Sequence, residues 1–168
     1  DGALAGNPTL VEAFGKAART RLHLIGLVSD GGVHSHQDHL VALAATAKAA
    51  GVNDIMVHAI TDGRDTSPTG GAKYLDFCED RLAESGAKIV TVIGRYFAMD
   101  RDKRWDRTKL AWDAIVFGKG EEKAVLASEA VAGQYSNDVT DEFMVPMVFD
   151  AIDQPRVRDG DVVLFFNF

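Results

Sequence analysis

The 168-residue chain has one cysteine, four prolines and two tryptophans, and it has no excess of basic residues. The single Cys78 excludes a disulfide framework and suits a reducing compartment. Lys and Arg number 18 against 25 Asp and Glu, and the net charge of −7 argues against a general nucleic-acid-binding protein. No apolar run approaches the roughly 20 residues that a membrane helix needs, and we expect no signal peptide. These absences favour a globular protein of the cytoplasm.

Several common functional motifs are also missing. No G-x-G-x-x-G follows a predicted strand, and there is neither a phosphate-binding P-loop nor a G-x-S-x-G nucleophile elbow. The stretch Gly70–Lys73 lacks P-loop spacing and predicts the start of a helix. There is no initiator methionine, so we expect a piece excised from a longer protein. The length of 168 residues fits one domain spanning 1–168.

What the chain does contain is an alternation of short apolar strands and helices. This alternation predicts a three-layer α/β/α fold with a largely parallel sheet. Asn7 and Pro8 predict a helix start, Ser35 with Asp38 has the spacing of a capping box, and Trp105 and Trp112 are expected to pack internally. The predicted strands cover 22–28, 55–60, 89–93 and 162–166, and a short helix covers 128–134. We expect 143–149 to be an edge strand that makes the sheet mixed.

Polar loops follow the first three predicted strands. They are Ser29–His36, Thr61–Thr66 and Gly94–Asp102. Ligands of parallel α/β sheets bind beyond the carboxyl ends of the strands, so these loops should share one rim. The segments at the opposite ends of the strands contain helix stops such as Gly51 and Gly86. This asymmetry predicts a ligand site on the rim.

Arginines are the first candidate ligand-binding residues of the rim. Arg64, Arg95 and Arg101 follow the strand ends closely. A guanidinium matches carboxylate or phosphate oxygens two at a time, so several together favour a ligand that carries both groups. The alternative is that each arginine pairs with a nearby aspartate on the surface.

Asp65 and His34 are the candidates for moving protons. Asp65 lies beside Arg64 and could take a proton from a ligand hydroxyl, or it could only stabilise a turn before Pro68. His34 could donate to a hydroxyl or shuttle a proton near neutral pH. His36 and His39 lie close to His34 in sequence, and three histidines in such a cluster leave a zinc site as an alternative.

The three loops also carry a family likeness. The strings Ser29–His36, Asp62–Thr66 with Pro68, and Gly94–Arg107 closely resemble the cofactor-independent (2,3-bisphosphoglycerate-independent) phosphoglycerate mutases. The likeness covers essentially the whole chain, and Phe97 stands where a tyrosine is common in the family. The resemblance implies an isomerase that interconverts 3-phosphoglycerate and 2-phosphoglycerate through a phosphoserine intermediate, in glycolysis and gluconeogenesis.

The resemblance also implies a division of labour. His34, Arg64, Asp65, Arg95 and Arg101 match substrate-binding positions, with Asp65 and His34 catalytic and no metal ligand among them. This chain resembles the inserted, substrate-binding domain alone. Two divalent metals, manganese by resemblance, and the nucleophilic serine belong to a phosphatase-like domain that is absent here. The complete two-domain protein is expected to be a monomer, and this chain alone is expected to be inactive.

Two other functions stay open from the residues alone. One is a stand-alone metallohydrolase that uses His34, His36, His39 and Asp65. The other is a non-catalytic module that binds an anionic metabolite through its arginines. Neither function implies a nucleic-acid or membrane partner.

Overall fold

The computed structural model describes residues 3–149 and 156–168, which form a single six-stranded sheet with helices on both faces. The strands are Leu22–Leu27 (β1), Ile55–Thr61 (β2), Lys88–Gly94 (β3), Glu121–Lys123 (β4), Met147–Phe149 (β5) and Val162–Phe165 (β6). Their order across the sheet is β4-β5-β3-β2-β1-β6. The predicted three-layer α/β architecture is therefore confirmed.

The sheet is mixed for a reason that differs in part from the prediction. Strands β1, β2, β3 and β6 are parallel, and β5 runs antiparallel to β3. The segment 143–149 was expected to be an edge strand, and that is wrong. Only Met147–Phe149 forms a strand, and β4, which pairs parallel to β5, forms the edge instead. With three residues, β4 is too short to produce a clear alternation of apolar and polar side chains.

The helices alternate with the strands as predicted, but one further short helix forms inside the third predicted loop. They are Pro8–Ala17 (α1), Gln37–Ala49 (α2), Gly71–Leu82 (α3), Arg95–Ala98 (α4), Trp105–Phe117 (α5) and Ala127–Tyr135 (α6). Asn7 caps α1 by accepting hydrogen bonds from the backbone N–H groups of Thr9 and Leu10, as the Asn-Pro pair predicted. Short 3₁₀ turns cover Ala83–Ser85 and Asp141–Phe143.

The main hydrophobic core lies on one face of the sheet, under α1, α2, α3 and α6. Side chains of α4 and α5 cover part of the other face, where Ala98 and Ile115 pack on Ile25, Leu27 and Ile60. Every residue of β1 is buried, because a central parallel strand is covered on both faces. Two packed layers on a rigid sheet hold the ends of β1, β2 and β3 at fixed positions.

The two tryptophans of α5 do not pack as expected. Trp105 is 72% exposed and Trp112 is 58% exposed, so both indoles lie in the outer surface of the helix. Two aromatics of the third loop do pack: the rings of Tyr96 and Phe97 meet edge to face, with centroids 5.2 Å apart. None of the helices in 3–149 and 156–168 is long and apolar enough to cross a membrane.

Candidate functional site

The loops after β1, β2 and β3 meet at one end of the sheet, as predicted. The Ser29 hydroxyl donates to Asp62 Oδ2 at 3.3 Å, which joins the first loop to the second. Arg95 Nη1 reaches Asp62 Oδ1 at 2.7 Å, which joins the third loop to the second. Asp62 therefore lies at the centre of the rim, in contact with both neighbouring loops.

The first loop is fixed by bonds to β1 and α2. The Ser35 hydroxyl donates to the carbonyl of Leu27 at 2.6 Å, and Gln37 N–H donates to the carbonyl of Ser29 at 2.8 Å. Because Ser35 is engaged with β1, it does not cap α2. The prediction of a Ser35 cap is wrong: His36 takes that position, and its Nδ1 accepts from the backbone N–H of Asp38 at 3.2 Å.

Asp62 shapes the second loop. Its Oδ1 accepts hydrogen bonds from the backbone N–H groups of Arg64, at 3.2 Å, and Asp65, at 3.0 Å. Asp62 thus makes a turn that covers residues 62–65. Burial raises the pKa of Asp62, but the bonds from Asp65 N–H, the Arg95 guanidinium and Arg64 N–H outweigh it. The pKa of this carboxyl therefore lies below its usual range, and Asp62 stays ionised.

Arg95 is the cation shared by two carboxylates. Its Nη1 lies 2.7 Å from Asp62 Oδ1 and 2.6 Å from Asp65 Oδ2, and its side chain is only 11% exposed. Burial lowers the pKa of Arg95, but the bonds to Asp65 and Asp62 outweigh it and raise the pKa overall. The guanidinium is a permanent charge held between the second and third loops.

His34 reaches the same cluster from the first loop. Its Nε2 lies 3.5 Å from Asp65 Oδ2, and its side chain is 43% exposed. Asp65 thus pairs with Arg95 and His34 rather than with its sequence neighbour Arg64, whose Nη1 lies 3.5 Å from Glu142 Oε1. The structure brings His34, Asp65 and Arg95 together within hydrogen-bonding or ion-pairing distance.

A polar cavity of about 310 Å³ opens beside this cluster. Three predicted residues line it, namely Arg64, Arg95 and Arg101. A fourth arginine, Arg107, lies over the ring of Tyr96 at 3.7 Å from its centroid. The cavity therefore has four guanidinium groups in its lining, together with the carboxylates of Asp100, Asp102 and Glu142. The guanidinium groups suit a small ligand with more than one anionic group.

Sequence reasoning did not find every residue of the site. Glu142 lies in the 3₁₀ turn Asp141–Phe143, which follows the third loop by about forty positions and carries no local motif. The turn approaches the rim so closely that a Cβ on Gly63 would lie 2.8 Å from the backbone nitrogen of Glu142. Asp62 did carry a signal, because it is a second acid three residues before Asp65.

The histidine cluster does not form a metal site within the described residues. His36 caps α2, and the ring of His39 lies 5.6 Å from that of Phe168. No group of three His, Cys, Asp or Glu side chains in 3–149 and 156–168 is arranged to hold a metal ion. The geometry that the zinc alternative requires is not found there.

The fold and the rim define an α/β domain with an arginine-lined cavity at the carboxyl ends of its parallel strands. Comparison with known proteins gives the particular family. The model of the 2,3-bisphosphoglycerate-independent phosphoglycerate mutase N-terminus matches residues 1–168, so the chain belongs to this family. The resemblance found from the three loops is thereby confirmed.

Curated relatives and a solved structure agree with this assignment. The chain is 55% identical over 168 residues to a 2,3-bisphosphoglycerate-independent phosphoglycerate mutase of Akkermansia muciniphila, and 49% identical over 176 residues to that of Thermomicrobium roseum. It also superimposes on a crystal structure of Leishmania mexicana phosphoglycerate mutase, determined at low cobalt concentration, with a TM-score of 0.89 and 33% identity over 99% of the chain. In each case all or nearly all of the chain matches about 33% of the relative, so the chain spans about a third of the proteins it resembles.

Proposed function

We propose that this chain is the substrate-binding domain of a cofactor-independent phosphoglycerate mutase and that its rim binds 3-phosphoglycerate and 2-phosphoglycerate. The observation that carries the proposal is the convergence of His34, Asp65 and Arg95 beside a cavity lined by Arg64 and Arg101. Phosphoglycerate has a carboxylate, a phosphate and a hydroxyl, and this set of side chains offers a partner to each group.

The arginines and the proton-handling pair have separate tasks. Arg64, Arg95 and Arg101 bind the carboxylate and phosphate oxygens through paired N–H donors. Asp65 accepts the proton of the glycerate hydroxyl and returns it. His34, whose Nε2 lies 3.5 Å from Asp65 Oδ2, orients the Asp65 carboxylate or assists the proton transfer. The walls of the cavity retain the glycerate and exclude water while the phosphoryl group is transferred.

The chemistry of phosphoryl transfer lies outside these residues. Two divalent metals, manganese by resemblance, would supply charge neutralisation and activate a serine in the part of the longer protein that this chain does not match. The described residues contain no cluster of side chains that fits a metal ion. The chain alone is then inactive, and the complete protein is a cytoplasmic monomer in which the metal-bearing domain acts in cis.

A chimera tests the proposal. This chain replaces the matched third of the Akkermansia muciniphila relative, which is 55% identical to it, and ³¹P NMR follows the interconversion of 3- and 2-phosphoglycerate. We expect activity in the unsubstituted chimera, none in the isolated chain, and a loss of about a hundredfold or more in Asp65→Asn. Asp80→Asn, at an exposed position of α3, is the matched control and should keep full activity.

Two results would contradict the proposal. Near-normal turnover in Asp65→Asn would remove Asp65 from proton transfer. A folded, unsubstituted chimera that binds no 3-phosphoglycerate would remove the substrate-binding role of the domain. Equal binding of sulfate, nucleotides and phosphoglycerate would instead favour the second candidate, a general anion-binding module, which the arginine-rich cavity also supports.

A further inference from the structure

One nitrogen of Arg95 contacts two carboxylates that differ in every other respect. The Asp62 and Asp65 oxygens lie at nearly equal distances from Nη1, 2.7 Å and 2.6 Å. The Asp62 side chain is 4% exposed, whereas that of Asp65 is 24% exposed. The two ion pairs are therefore alike in length but unlike in their access to solvent and ligand.

Asp62 is bound to the protein on every side. Besides Arg95, its oxygens accept from the backbone N–H groups of Arg64 and Asp65 and from the hydroxyl of Ser29. Moving this carboxylate would break the turn of the second loop and leave buried donors unpaired, which is costly. The bond between Asp62 and Arg95 therefore persists when the cavity fills.

Asp65 is held much less tightly. Its side chain contacts the Arg95 guanidinium and the half-exposed His34, and it borders the solvent. An anionic oxygen entering the cavity can offer Arg95 the same charge-assisted bond that Asp65 offers. Asp65 then becomes free to turn towards the bound molecule at little cost, because no backbone N–H group in the described part of the chain donates to its carboxylate.

We propose that Asp62 is a positioning residue that anchors Arg95, and that Asp65 is a replaceable partner whose place on Arg95 is taken by an anionic ligand. This inference rests on the proposed function, since it assigns the order of events at the same site. Ligand binding would release Asp65 for the proton transfer proposed above. The empty site would stay compact because Arg95 is never without a carboxylate.

Two isosteric substitutions separate this idea from simple electrostatics. Asp62→Asn and Asp65→Asn each remove one negative charge next to the same nitrogen, so charge alone predicts tighter anion binding in both. Anchoring predicts opposite signs. With inorganic phosphate as the probe, Asp65→Asn should bind about threefold more tightly or better, and Asp62→Asn should bind about threefold more weakly or worse. Equal changes in both variants would overturn the proposal.

A second readout needs no ligand. The Arg95 guanidinium ¹⁵N–¹H signals report whether rotation of the group is restricted by its ion pairs. We expect restricted rotation in the unsubstituted chain and in Asp65→Asn. Rotation should be faster in Asp62→Asn, where the partly exposed carboxylate of Asp65 is left as the ion-pair partner of Arg95. If Asp62→Asn fails to fold, Ser29→Ala removes one bond to Asp62 Oδ2 and should loosen Arg95 in part. Unchanged restriction in the folded Asp62→Asn or in Ser29→Ala would overturn the anchoring.

The two readouts also distinguish this inference from the proposed function. If 3-phosphoglycerate leaves the Arg95 signals of the unsubstituted chain unmoved, the substrate-binding role fails and the exchange of Asp65 fails with it. The anchoring by Asp62 is still decided by the rotation of Arg95. If 3-phosphoglycerate binds but Arg95 keeps its contact with Asp65, the proposed function stands and the exchange is wrong.

Discussion

Replacing His58 by glutamine should make the stability of the protein less sensitive to acid. His58 and His23 form a fully buried pair on neighbouring strands, with His23 Nδ1 and His58 Nε2 3.0 Å apart. His58 Nδ1 lies 2.9 Å from the hydroxyl of Thr91, and His23 Nε2 lies 3.3 Å from Asp161 Oδ2. Glutamine keeps a polar group at this place in the row of hydrogen bonds but removes one titrating ring.

Burial is the main reason that both histidines resist protonation. It lowers the pKa of His58 well below its ordinary value of 6.5, and the charges of His23 and Arg156 add to the effect. Burial also lowers the pKa of His23, which Asp161 and Asp54 oppose and Arg21 reinforces. The charged groups that act on the pair are therefore Asp161, Asp54, Arg21 and Arg156.

The sign and the size of the effect follow from proton linkage. An unfolded histidine takes up a proton as the pH falls through about 6.5, while the folded pair stays neutral, so acid favours unfolding. As the pH falls from 6.5 to 5.5, each histidine that stays neutral in the folded state lowers the free energy of unfolding by about 1 kcal/mol. The unsubstituted chain should lose up to about 2 kcal/mol from this pair, and His58→Gln about half of that.

Urea unfolding at pH 7.5, 6.5 and 5.5 measures this loss. Far-UV circular dichroism is the appropriate signal, because Trp105 and Trp112 are already exposed in the folded state and would report unfolding weakly. The same dependence on pH in His58→Gln and in the unsubstituted chain would refute the reasoning that the buried pair is kept neutral by the fold.

Two further predictions concern the packing of the sheet. A Cβ on Gly26 would lie 2.6 Å from the ring of Phe166, so Gly26→Ala should lower the free energy of unfolding in urea by about 1–3 kcal/mol. This loss should largely disappear in a Phe166→Leu background. A loss that persists there would contradict the steric cause. Burial raises the pKa of Cys78 to about 12, so iodoacetamide should label the folded chain very slowly and the urea-unfolded chain readily. Rapid labelling of the folded chain would contradict the burial of Cys78.

The convergence of the three loops could be predicted because it depends on a rule of parallel sheets. Loops after β1, β2 and β3 share an edge wherever the strands are adjacent and parallel, and both conditions hold here. The rule names the loops but not the partners of their side chains. It left open whether Arg64 or Arg95 would pair with Asp65, since that choice depends on loop conformation.

Features that depend on distant parts of the chain could not be predicted. The turn Asp141–Phe143 reaches the rim through tertiary packing against Gly63 and Gly94. The three-residue β4 takes the edge position only because β5 offers it a partner. The exposure of Trp105 and Trp112 on α5 likewise depends on how far one helix covers the second face of the sheet, which no local pattern determines.

Binding of 3-phosphoglycerate to the chain tests the central claim most directly, namely that side chains from three loops form one site. An NMR titration of the unsubstituted chain should move the signals of Arg95 and His34 with a single dissociation constant. Arg95→Ala should weaken binding by about 1.5–3 kcal/mol, whereas Arg19→Ala, at an exposed position after α1, should have no effect. Equal affinity in Arg95→Ala and the unsubstituted chain, or no binding to the latter, would contradict the account.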